Sequence, residues 1–162
     1  MTRTLLVRLG AAAATAAAAL AVSCTAQPDR AEPTPLTTTG HPTLVAFLAT
    51  ETTGADPSAL QITTLKSMAQ QYGPAGLRTV IVDTAKSTPD QLVNFGHDWQ
   101  LGDISVRPDP DGSLAEAEDV NSAPAVLLFD KSARLSKRWD GRVNNPDLAF
   151  ALQALGLDRA GT

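Results

Sequence analysis

Three short runs constrain this chain more than anything else in it. Residues 43–49 (TLVAFLA), 77–83 (LRTVIVD) and 125–129 (AVLLF) are almost continuously apolar. A strand with apolar side chains on both faces needs cover on both faces, so these runs read as buried central strands. A fourth run, residues 135–139 (LSKRW), alternates and reads as a strand with one wet face. Only residues 130–134 separate it from the third, a length that suits a hairpin.

Between the strands, three segments begin alike. Asp56-Pro57, Thr88-Pro89 and Asn145-Pro146 each set a side-chain oxygen before a proline. The oxygen can cap free amides, and proline loses nothing at the first helical position. Apolar residues then follow at helical spacing: Ile62, Leu65, Ala69 and Tyr72; Leu92, Phe95 and Trp99; Leu148, Leu152 and Leu155. Tyr72-Gly73-Pro74 is a stop signal. Residues 112–119 read as a short helical turn, entered through the tight turn Asp109-Pro110-Asp111-Gly112. That turn lacks the further oxygen ligands of a calcium loop. The order strand, helix, strand, helix, strand, hairpin, helix predicts an α/β fold. Its sheet is mixed, parallel across the helical crossovers and antiparallel in the hairpin.

The N-terminal residues lie outside that pattern. Arg3 and Arg8 charge a short head, and residues 9–22 form an alanine-rich apolar block, as in a secretion signal. The block falls short of the roughly 20 residues that span a bilayer, which disfavours a retained membrane helix. It ends Leu20-Ala21-Val22-Ser23-Cys24, which resembles a lipobox, and Cys24 is the only cysteine in the chain. The reading is a signal peptide over residues 1–23 and a lipidated Cys24; the alternative is ordinary cleavage leaving a free thiol. Loss of the two head arginines leaves 11 of the 13 basic residues against 17 acidic ones, a formal net charge of −6. Such a surface argues against nucleic acid and against a polybasic hold on anionic lipid. Residues 27–40, with three prolines and a run of threonines, read as a tether that reaches roughly 40 Å at most. A single domain over residues 41–158 and a tail over 159–162 complete the chain.

The order of elements resembles the thioredoxin fold. Particular residues narrow the resemblance to the membrane-anchored, TlpA-like thiol–disulfide oxidoreductases. Ala49-Thr50 closes the first strand, Tyr72-Gly73 closes the first helix, and Gly76-Leu77-Arg78-Thr79-Val80-Ile81-Val82-Asp83 follows. Asp109-Pro110-Asp111-Gly112 and Val120-Asn121-Ser122-Ala123-Pro124 resemble the stretch before that family's cis-proline. The resemblance spans residue 41 to about residue 157.

The centre of the family motif is missing. Counted back from Tyr72, the CxxC positions fall on Ala55-Asp56-Pro57-Ser58; counted forward from Thr50, the cysteine positions fall on Thr52 and Ala55. Neither register offers a thiol, and disulfide exchange needs two. In the first register, the glutamate that many relatives keep three residues after the second cysteine corresponds to Gln61, which cannot titrate. Peroxiredoxins place a threonine three residues before their reactive cysteine, a spacing that Thr52 and Ala55 imitate without sulfur.

What the resemblance leaves is Pro124, implied to be cis, with Ala123 offering backbone hydrogen bonds to an extended peptide. His41 and His97 read as solvated, Trp99 and Trp139 as packing residues, and Ser58 has no recognisable catalytic partners. No phosphate loop is present. These readings imply no metal and no cofactor. The functional expectation is a lipid-anchored, redox-inactive binding or scaffold module on the extracytoplasmic face of the cell membrane, with a protein or peptide partner. The alternative is an extracytoplasmic redox enzyme that borrows a partner's thiol.

Overall fold

The computed structural model describes residues 35–51 and 56–160; the signal, Cys24, most of the tether and Ala55 lie outside the described residues. The elements are β1 (Thr43–Leu48), α1 (Pro57–Tyr72), β2 (Arg78–Asp83), α2 (Pro89–Asp98), β3 (Ser105–Pro108), α3 (Ser113–Ala117), β4 (Ala125–Phe129), β5 (Leu135–Asp140) and α4 (Asn145–Ala154). A 3-10 turn, Gly73–Ala75, closes α1, because Pro74 has no N–H to continue it.

The five strands form one sheet in the order β3-β2-β1-β4-β5. β1 pairs in parallel with β2, and β2 with β3; β4 runs antiparallel to both β1 and β5. The fold class read from the sequence therefore holds. Strand β3 did not register in the sequence: four residues, half of them polar, at a sheet edge carry no long apolar run.

Both crossovers step the same way across the sheet, so right-handed connections put α1 and α2 on one face. The packing agrees. Ile62, Leu65 and Phe95 share a core with Leu44, Leu48, Ile81 and Leu128, and α4 adds Leu148 and Leu152. The alternate strand residues Val45, Phe47, Val82 and Leu127 pack on the opposite face against Leu114 of α3 and half-buried Val120. Leu36, the one bulky apolar residue of the proline–threonine segment, packs there too.

The end of the expected tether thus touches the domain. Besides the Leu36 contact, Thr38 Oγ1 accepts from Arg78 at 2.9 Å, and the Gly40 amide donates to the Lys131 carbonyl at 2.7 Å. At the other terminus, Arg159 donates to the Tyr72 hydroxyl at 3.0 Å and the Ala160 amide to the Gln71 carbonyl at 2.8 Å.

Helix starts follow the sequence signals, with one correction. Asp56 caps α1, and Thr88 forms a reciprocal capping box with Gln91 on α2. The cap of α4 is Asn144, not Asn145: the Asn144 side chain accepts from the Asp147 amide at 2.9 Å. With two asparagines in a row, the one three residues before the free amide has the right reach. No helix among the described residues is long and apolar enough to cross a membrane.

Candidate functional site

The sheet register assembles one end of the domain. Leu48, the last residue of β1, pairs with Asp83, the last residue of β2. On its other side β1 pairs Phe47 with Ala125, so the next step along the register sets Leu48 opposite Pro124. The same end of β1 leads through residues 50–55 into α1. Three segments singled out in the sequence, the start of α1, the end of β2 and the Ala123-Pro124 peptide, are therefore all anchored to the C-terminal end of β1.

Helix α1 begins with Asp56 as cap and Pro57 as its first residue. The Asp56 carboxylate accepts from the Ser58 amide at 2.7 Å. A carboxylate at a helix N-terminus is favoured by the helix dipole. Ser58 is buried, and so is Gln61 one turn on, at 0% exposure. The Gln61 Oε1 accepts from the Val143 amide at 2.8 Å, whereas its Nε2 has no partner among the described residues. Gln61 is thus a structural amide, holding the β5–α4 connection onto α1.

The Ala123–Pro124 peptide bond is cis. Ala123 is exposed and Pro124 half-buried. The loop before them is pinned from β5. Arg138 donates to the Glu118 carbonyl at 2.9 Å and to the Asp119 carbonyl at 2.7 Å, and its Nε pairs with Asp140 at 2.7 Å. One guanidinium thereby orients the two residues that start the loop. Burial pushes the Glu118 carboxyl above its ordinary pKa, with the Arg138 charge pulling the other way. A cavity of about 260 Å³ lies beside this loop, lined among others by Lys86, Asp109, Val120, Ser122 and Ala123. Asp109 does not face it as a free acid: its carboxylate accepts from the Leu114 and Ala115 amides at 2.9 and 3.0 Å and so caps α3. Gly112, at φ +75°, allows the tight turn between them.

At the end of β2 stands a residue the sequence reading did not single out. Asp83 is completely buried and accepts from Thr50 Oγ1 at 2.7 Å, from the Ser87 amide at 2.8 Å, from the Ala85 amide at 3.0 Å and from the Thr50 amide at 3.3 Å. Thr50 and Ser87 share a further bond at 2.8 Å. Burial pushes the Asp83 carboxyl up, but the hydrogen bonds from Thr50, Ser87 and Ala85 outweigh it and leave its pKa below the ordinary carboxylate value. The signal was present in the sequence as a charge closing a buried strand.

The other side chains weighed from the sequence lie elsewhere. His41 meets the Gly76 carbonyl at 3.3 Å, and exposed His97 sits 3.7 Å from Asp98. Trp99 packs against Phe95, and Lys137 lies over Trp139 at 5.1 Å.

No family model matches the chain, and no curated protein matches it in sequence. Solved structures do match. A Chlorobium tepidum protein described as thiol:disulfide interchange protein DsbE is 20% identical, with a TM-score of 0.63 over 72% of this chain and 81% of that one. The exposed lipoprotein thioredoxin Etrx1 of Streptococcus pneumoniae is 22% identical, with a TM-score of 0.54 over 72% of this chain and 84% of its own. StoA of Bacillus subtilis is 16% identical, with a TM-score of 0.58 over 70% and 84%. At these identities the likeness shows the fold: the chain has the thioredoxin-like fold.

Proposed function

We propose that this chain is a thiol-free thioredoxin-like domain that binds extended polypeptide at the pole around Ala123, Pro124 and the start of α1. The observation that carries this reading is that Cys24 is the only cysteine in the sequence and lies outside the domain. Disulfide exchange needs a nucleophilic thiolate and a second thiol to resolve the mixed disulfide. Here the first helical turn carries a buried serine, and its amide is already taken by Asp56. Exposed Ala123 and the adjoining cavity of about 260 Å³ support the peptide-binding reading. In this reading Cys24 carries the lipid that holds the domain on the extracytoplasmic face of the membrane. The pneumococcal neighbour is itself described as an exposed lipoprotein.

The second reading is a redox protein that works with a partner's thiol, supported by neighbours described as thiol:disulfide proteins. Two measurements separate the readings. Insulin reduction by the purified protein should stay at the uncatalysed rate with or without dithiothreitol. Extended peptides should shift the amide resonances of residues 121–123, 125, 56 and 58–61, and Ala123→Asp should abolish those shifts. Catalysed insulin reduction would establish the enzyme; peptide shifts unchanged by Ala123→Asp would move the binding face elsewhere.

A further inference from the structure

The chain enters the domain at one pole and presents Ala123 at the other. Thr43, the first residue of β1, pairs with Arg78 and Phe129, whereas Phe47, near its last, pairs with Ala125. The six residues of β1 separate these ends by about 17 Å. Residues 35–40 are fixed at the first end. The Gly40 amide donates at 2.7 Å to the carbonyl of Lys131, just past β4, and Arg78 donates to Thr38 Oγ1 at 2.9 Å. Gly40, at φ +98°, takes the left-handed turn that leads into β1. Half-buried Leu36 is seated on the sheet face that carries Val45 and Leu127. Three residues span at most ~11 Å, so Pro35 stays within that distance of Thr38, whose hydroxyl is bonded to the first residue of β2.

What these contacts remove is slack. Were residues 25–40 unattached, 16 residues could span roughly 55 Å. With residues 35–40 held, the 10 residues 25–34 separate Cys24 from the domain, and they span roughly 35 Å at most, whatever their conformation. A compact domain of about 120 residues has a radius of gyration near ~13 Å and is about 35 Å across. For Ala123 to meet a bilayer that held Cys24, the entry point would have to stand a domain's width above it. That demands nearly full extension of residues 25–34, whereas an unconstrained chain of that length averages only ~18 Å between its ends. An unattached segment 25–40 would allow the same rotation with length to spare.

We propose that residues 35–40 act as an orienting strap, which turns the Ala123–Pro124 pole away from the membrane that holds Cys24. The pole then serves polypeptide arriving from the space beyond that membrane, and segments lying among the headgroups are out of its reach. The orientation rests on the lipid anchor proposed above at Cys24, and the two are tested separately.

Cys24 is the only cysteine, so the full chain can be coupled there to a maleimide lipid in nanodiscs that also carry a gadolinium-chelating lipid. Paramagnetic relaxation of the Gly76, Lys131 and Ser132 amides is expected to exceed that of the Asn121, Ser122 and Ala123 amides several-fold. Leu36→Ser combined with Thr38→Ala should release the strap and bring the two sets together. A ten-residue glycine–serine insertion between Thr34 and Pro35 should do the same while leaving every contact of the domain in place, which keeps the test decisive if the strap variant unfolds. Equal relaxation of the two sets in the wild type, or a difference that persists in either folded variant, would overturn the strap. Acylation is read from the mass of the protein recovered from cell envelopes. A free Cys24 thiol there would overturn the anchor, and the orientation with it, whatever the relaxation shows.

Discussion

Asp83 and Gln61 are both completely buried polar residues, one closing β2 and the other a turn into α1, and their surroundings treat them in opposite ways. Asp83 collects four hydrogen bonds from residues 50, 85 and 87, enough to hold its pKa down against burial. Gln61 has one partner for its oxygen and none for its nitrogen among the described residues. The charged residue is solved and the neutral one is half solved. The loop after its own strand and Thr50 at the end of neighbouring β1 each bring two donors to the carboxylate. Gln61 relies instead on a distant connection that offers a single amide. Its one bond ties the β5–α4 connection to α1, so Gln61 serves the fold of this pole.

The largest effect should come from Asp83→Ala, which strips the acceptor from the Thr50 hydroxyl and three amides. A loss of about 3 kcal/mol in urea unfolding at neutral pH is expected. Because the folded pKa is lowered, this contribution is present above the unfolded value near 3.9 and disappears as pH falls through the folded value. The gap between wild type and Asp83→Asn should therefore narrow below about pH 4. A gap that is constant from pH 7 to pH 2.5 would mean that Asp83 is not held as a carboxylate.

Gln61→Glu tests the other half. One carboxylate oxygen would keep the Val143 amide, while the second would take the place of the unpartnered nitrogen. The folded pKa should rise, giving a destabilisation of about 2 kcal/mol at pH 8 that fades as pH falls towards the unfolded value near 4.3. Equal stability of this variant relative to wild type at pH 4 and pH 8 would show that the Gln61 environment already holds a compensating donor.

Arg138→Met comes next. Removing two charge-assisted bonds to the 118–119 carbonyls should cost about 1.5 kcal/mol and broaden the amide resonances of residues 119–123, leaving those of α1 in place. Undisturbed resonances in that loop would sink the idea that Arg138 positions the Ala123-Pro124 peptide. The smallest expected change is Asp56→Ala, about 1 kcal/mol for one lost helix cap. A much larger loss would mean that Asp56 does more at the pole than satisfy the Ser58 amide.

Much of this fold was legible in the sequence because its signals are local. Three apolar runs marked β1, β2 and β4, the alternating run marked β5, and three acceptor–proline pairs marked α1, α2 and α4 to within a residue. β3 escaped because an edge strand of four residues needs little apolar surface. Leu36 was passed over because one apolar residue among threonines and prolines carries no period, yet a sheet face beside it gives it somewhere to pack. Arg138 looked like one charge on a wet strand. Its role depends on carbonyls about 20 residues earlier in the chain.

By itself, the sequence determined that no disulfide exchange can run on this domain's own side chains, since composition alone decides whether a thiol exists. It also determined where helices start, because caps and prolines act within three or four residues. Only the tertiary structure decided that Leu48 lies between Asp83 and Pro124, that Gln61 holds Val143 across 82 residues, and that Thr79 is left without a partner beneath the end of α1. Those outcomes depend on strand register and on how helices seat on the sheet. Hydrogen bonds satisfied across such separations exist only once the whole layer has closed.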